Sequence, residues 1–143
     1  MSATSRFPAG SWAPMHAPSL EDFEAMAESA FETLPETFRK MCGAIIIRIE
    51  DFPDEEVMET MDLETPFDIL GLFQGQGLTE AGAVPETGQH PNMIWLYRRP
   101  ILDYWAENVE TLGAVITHVL VHEIGHHFGL SDEDMEKIEA AAA

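Results

Sequence analysis

Residues 118–135 read HVLVHEIGHHFGLSDEDM, and the reading of this stretch decides the fold. It contains His122-Glu123-Ile124-Gly125-His126, an H-E-x-x-H pattern. On a helix, residues four apart lie one above the other on the same face. His122 and His126 then direct two imidazoles at one point. Glu123 lies about 100° round from His122, where it reaches a water on an ion rather than the ion itself. Gly129 falls where a helix ends in a left-handed residue. Chain reversal there carries Asp132 back toward the histidines and completes H-E-x-x-H-x-x-G-x-x-D. Two nitrogens and one oxygen leave the fourth position of a tetrahedral zinc open for water, which is the arrangement of a catalytic rather than a structural site. The H-E-x-x-H pattern alone arises by chance in roughly one chain in a few hundred of this length. With Gly and Asp at their offsets the figure falls to roughly one in a hundred thousand, and the abundance of Glu and His here raises it about tenfold.

Plainer roles compete for several of these residues. Ser131 suits the N-cap of a following helix, with Asp134 completing a capping box, so Asp132 is also a first-turn acid that favours the helix dipole. His118 lies one turn before His122 on the same stripe. A fourth ligand there would close the site, so a supporting or surface role is expected for it. His127 is rotated off the histidine stripe and is expected to be packed or solvent-facing. His16 and His90 lie in loops with no partner visible in the sequence.

Working outward, the spacing predicts a long helix over 111–128 and a last helix over 132–141. A helix at 101–108 precedes them. "NMIWLYRRP" (92–100) reads as a strand stopped by Pro100. "FDILGLFQG" (67–75) reads as another strand, ending in glycines. Between these two strands, residues 75–91 form a long Gly/Pro/Thr loop. Loops of that length in small domains are often functional, and this one is placed to cover a cleft. It lacks the Gly-Lys-Ser/Thr and the basic residues of a phosphate-binding loop. "CGAIIIRIEDF" (42–52) is apolar and β-branched and reads as a buried strand. Residues 53–62 suit a short acidic helix with Pro53 at an early position. Toward the N-terminus, Ser19 and Asp22 form a capping box, followed by apolar residues at helical spacing over 20–35. The succession of helix, strands and helices predicts an α+β domain over residues 19–143, with a small mixed sheet packed against an N-terminal helix and the long motif-bearing helix. Residues 1–18 read as a flexible N-terminal arm.

Composition narrows the function. Seven basic residues against 26 acidic ones give a net charge of −19 over 143 residues. Such a surface repels phosphate backbones and anionic membranes, so no nucleic acid or membrane partner is expected. It attracts cations and basic partners. The one cysteine, Cys42, permits no intramolecular disulfide and opens an apolar run, so it reads as a core residue rather than a nucleophile. The N-terminal segment has no apolar stretch of signal-peptide type, and a cytoplasmic, monomeric protein is expected.

At the residues of the motif the sequence resembles the zincin superfamily of zinc-dependent peptidases, and more closely the minimal zincin-type metallopeptidases of bacteria. "ILGLFQG", "IWLYRRPIL" and "HVLVHEIGHHFGLSDEDM" all look like that family, so the likeness spans roughly residues 20–140. The resemblance implies a minimal zincin fold, Zn²⁺ as cofactor, His122, His126 and Asp132 as ligands, and Glu123 as general base. The chain departs from metzincins, which have histidine as third ligand and a methionine turn downstream. Here Met135 lies in the last expected helix, which leaves the floor of the site unassigned.

The expected activity is hydrolysis of a peptide bond by a metal-activated water, with Glu123 taking its proton and passing it to the leaving amine. Tyr97, Tyr104 and His118 are the candidates for stabilising the oxyanion. The 92–97 strand is a candidate edge for an extended peptide, although its residues also suit core packing. The alternative is a zinc-binding protein of the same fold that does not hydrolyse and acts by binding a basic protein partner. Glu123 argues against it, because scaffolding needs no base. A metal-dependent ribonuclease is disfavoured by the same glutamate and by the net charge.

Overall fold

The computed structural model describes residues 10–75 and 91–142. Six helices and three strands follow in the order α1 (Leu20–Thr33), α2 (Glu36–Cys42), β1 (Ile45–Glu50), α3 (Glu55–Thr60), β2 (Gly71–Gln74), β3 (Asn92–Tyr97), α4 (Arg98–Glu107), α5 (Leu112–His127) and α6 (Asp132–Ala142). This is the expected α+β architecture. The sheet is mixed, in the order β1-β3-β2, with β1 parallel and β2 antiparallel to β3.

The register assigns the two faces of the sheet. Ile45, Ile47 and Ile49 alternate with exposed residues along β1 and pack against the core, together with Ile94, Leu96 and Phe73. The opposite face carries Arg48 and Glu50 beside Trp95 and Tyr97, with Leu72 across from Trp95. β1 is therefore half-buried rather than fully buried, as an alternating strand with one solvated face must be. Against the core face lie α1, through Phe23 and Ala27, and α5, through Val115, Ile116, Val119, Leu120 and Ile124. All seven are essentially inaccessible to solvent, and each large aliphatic among them contributes about 1.5–3 kcal/mol by leaving water.

The capping box at Ser19 forms as read: its hydroxyl accepts from Asp22 N at 3.0 Å, and Asp22 accepts from Ser19 N at 2.9 Å. Other boundaries differ. Cys42 closes α2, which the sequence reading missed, and its thiol is fully buried and donates to Phe38 O at 3.3 Å. Burial pushes that thiol up to about 11, consistent with a core role. Pro53 precedes the N-cap of α3, which is Asp54. Pro100 does not stop β3. The strand ends at Tyr97, and Pro100 lies inside the first turn of α4, where its missing N–H has no intrahelical partner to lose. β3 is the middle strand, so it offers no free edge. β2 is the antiparallel edge instead. Of the expected arm at 1–18, residues 10–18 are described, and Pro18 O accepts from Arg98 Nε at 2.6 Å. The 75–91 loop lies almost wholly outside the described residues, and so does His90.

Candidate functional site

Thr111 caps α5, its hydroxyl accepting from Ala114 N at 3.1 Å. The helix then runs apolar on its core side until the histidines begin. It ends at Phe128, followed by Gly129 at φ +77°, the left-handed residue the sequence called for. Leu130 N donates to Gly125 O at 2.9 Å, and Ser131 caps α6 by accepting from Asp134 N at 3.1 Å. α6 thus returns antiparallel along α5. Close approach depends on Gly125: a Cβ there would come within 2.5 Å of Met135 Sδ. Met135 is fully buried at this crossing and ties the two helices together beneath the histidines.

The reversal lays Asp132, Glu136 and Glu139, spaced along one face of α6, against His118 and His122 of α5. These five residues line an open pocket of about 500 Å³. His118 and His122 stack with ring centroids 3.9 Å apart. Glu139 bridges them: His118 Nδ1 donates to Oε1 and His122 Nε2 donates to Oε2, both at 3.0 Å. Among the described residues, His118, His122 and Glu139 form the trio whose ligand atoms all lie within 4.8 Å of one another. Two imidazoles and a carboxylate are a donor set suited to Zn²⁺.

Of the expected ligands, His122 and His126 occupy successive turns with ring centroids 5.6 Å apart and planes at 84°. His126 is exposed, and Asp132 opens α6 and lines the same pocket as His122. His126 and Asp132 are not members of the close trio. Glu139 escaped the sequence reading because it stands outside the motif. Its signal was the spacing Asp132, Glu136, Glu139, which puts three acids on one helical face once α6 folds back.

Glu123 turns toward the sheet, about 100° round α5 from His122. It lies under β2, where a Cβ on Gly71 would sit 3.4 Å from Glu123 Cγ and 2.9 Å from both Val119 Cγ1 and Trp95 O. Only glycine allows strand and helix this close. Burial raises the Glu123 carboxyl from 4.5 to about 7. Tyr97 is pushed up to about 12, chiefly by burial and then by the carboxylates of Glu50, Asp54 and Glu123. The remaining candidates are placed plainly. Tyr104 packs from α4 against the core. His127 stacks on Phe73 at 4.4 Å. His16 is exposed.

No described helix is long and apolar enough to cross a membrane. No curated protein gives a significant match to the chain. Among solved structures, a conserved hypothetical protein from Thermus thermophilus is similar over 83% of this chain and 98% of its own, at 20% identity and a TM-score of 0.48. The zincin-like metallopeptidase family matches residues 42–142, which take in the whole sheet, α5 with its H-E-x-x-H segment, and α6. With that match over most of its length, the chain belongs to the zincin-like metallopeptidase family.

Proposed function

We propose that this protein is a zinc-dependent peptidase, with His122, His126 and Asp132 holding the metal and Glu123 as general base. The observation that carries the reading is the pairing of consecutive residues: His122 opens onto a pocket of imidazole and carboxylate donors, while Glu123 turns toward the sheet and is half-buried beneath Gly71. Burial raises that carboxyl, the direction that suits a base which later returns its proton as an acid. The donor chemistry fits zinc, which when bound would lower the pKa of a water and polarise a carbonyl. The protein's own part is to hold the imidazoles on one helical face, to shield Glu123 from bulk water beneath Gly71, and to present β2 as the sheet edge nearest that carboxyl.

A second reading has one observation in its favour. Glu139 occupies His122 Nε2, and with His118 it makes a compact donor set that does not use His126 or Asp132. Metal held there would suit a zinc-binding protein that recruits a basic partner without hydrolysis.

The two readings separate in one experiment. Zinc-loaded protein is incubated with a diverse peptide library and the products are read by mass spectrometry, beside a chelated control. Metal-dependent cleavage is expected. Zinc bound at one equivalent with no cleavage anywhere in the library would favour the binding protein.

A further inference from the structure

Outside the histidine pocket, a cleft of about 430 Å³ lies on the solvated face of the sheet. Leu72, Trp95 and Tyr97 form its floor, and Val57 of α3 with Met61, the residue that ends that helix, closes one side. Glu50, Asp54 and Glu56 stand around it, and among the described residues no basic side chain lines it. Asp54 already accepts from Val57 N at 2.8 Å as the α3 cap. Glu50 and Glu56 are exposed and make no ion pair among the described residues.

An acidic rim alone would be a solvated surface. Tyr97 makes this one different. Its side chain is 1% exposed, it lines the cleft, and its hydroxyl has no hydrogen-bond partner among the described residues. Ser11 Oγ is the one fully buried side-chain polar atom without a partner among the described residues, so the Tyr97 hydroxyl is not sealed in the core but opens to the cleft. Here that position is left for whatever enters the cleft. The cleft also lies just across β2 from Glu123. Gly71 touches Glu123 on one face of β2, and the next residue, Leu72, lines the cleft on the other.

We propose that the cleft receives an arginine or lysine side chain of the peptide substrate, its charge met by Glu50, Asp54 and Glu56 and its methylene stem lying on Trp95 and Leu72. This deepens the peptidase reading, on which the word substrate rests. Long cationic side chains bury their stems on apolar surface while keeping the charge among polar groups, and an indole face adds a cation–π contribution. The net charge of −19 steers such peptides toward the protein, and the cleft supplies the local selectivity.

The test is binding, kept separate from turnover. Zinc-loaded Glu123→Gln protein, ¹⁵N-labelled and at physiological salt, is titrated with two short peptides identical except that one has arginine where the other has citrulline. The Trp95 indole resonance reports on the cleft. The arginine peptide should shift it and bind roughly tenfold more tightly, a margin expected when carboxylates meet a charge directly. Adding Glu50→Gln and Glu56→Gln should bring arginine down to the citrulline level. Glu28→Gln with Glu32→Gln, an equal charge change on the exposed face of α1, should leave the preference intact. Equal binding of the two peptides, or equal losses from both pairs of substitutions, would overturn the proposal. The two readings fail separately. Selective binding with no cleavage by the parent upholds the cleft and removes the peptidase, whereas cleavage by the parent at equal rates for both peptides removes the cleft and keeps the peptidase.

Discussion

His122 and Glu123 are consecutive residues, yet α5 turns them to different surroundings. His122 looks toward α6, about a quarter exposed, with Glu139 on its Nε2. Glu123 looks toward the sheet, packed beneath Gly71, with its carboxyl raised to about 7 by burial. One side is wet and anionic, and it suits a cation. The other is drier and disfavours charge, and it suits a base that must hold and release a proton. A helix separates the two tasks by a rotation of about 100° per residue, so that a ligand and a base need only be neighbours in sequence.

The comparison breaks most completely at His122. The substitution His122→Ala should lower zinc affinity by at least about a hundredfold and abolish hydrolysis, since it removes the donor common to both possible ligand sets. Metal content after dialysis checks this, and full zinc retention would place the metal elsewhere. Next in size is the gap between the two ligand sets. Asp132→Asn should weaken zinc binding by roughly a hundredfold, and Glu139→Gln by no more than about tenfold, the scale of a group that only orients a ligand. The reverse order would assign the metal to His118, His122 and Glu139.

The drier face can be broken at Gly71. Gly71→Ala places a Cβ 2.9 Å from Trp95 O and Val119 Cγ1, so strand and helix must separate. A loss of about 1–3 kcal/mol is expected in denaturant unfolding, as for other overpacked sites. An unchanged midpoint would mean that the contact is loose.

A pH series on chelated protein sharpens the same point. The folded pKa of Glu123 lies above its unfolded value, so this group stabilises the fold at low pH, and its contribution is lost as pH rises from about 4.5 through about 7. Replacing it with glutamine should remove that part of the slope, on the order of 1–3 kcal/mol. Parallel curves for parent and variant would show a solvated carboxylate. The smallest effect belongs to Ser131→Ala, which removes the cap of α6 and should cost about 1 kcal/mol without altering the order of the ligand effects.

Much of this arrangement was legible in the chain because it is local. The capping box at Ser19 and the left-handed Gly129 form as read, and at Ser131 the hydroxyl cap on Asp134 N forms; each is set by residues close in sequence. The α+β class followed from the order of apolar patterns. What escaped depended on contacts distant in sequence. Glu139 meets His118 and His122 only because α6 crosses α5 at Gly125 and Met135. Strand order placed β3 at the centre and left β1 and β2 as the edges, which no periodicity within a strand reveals. Pro100 misled because a proline after a strand reads as a stop, although the first turn of a helix accepts it equally well. The acidic cleft was invisible for the same reason as Glu139, since Glu50, Glu56 and Leu72 come together only through the sheet and α3.

The division of α5 into a metal-holding face and a proton-moving face is tested most directly by measuring zinc stoichiometry and peptide hydrolysis on the same samples of parent and Glu123→Gln protein. The account predicts one equivalent of zinc in both and hydrolysis in the parent alone. Undiminished hydrolysis by the glutamine variant, or loss of its zinc, would contradict it.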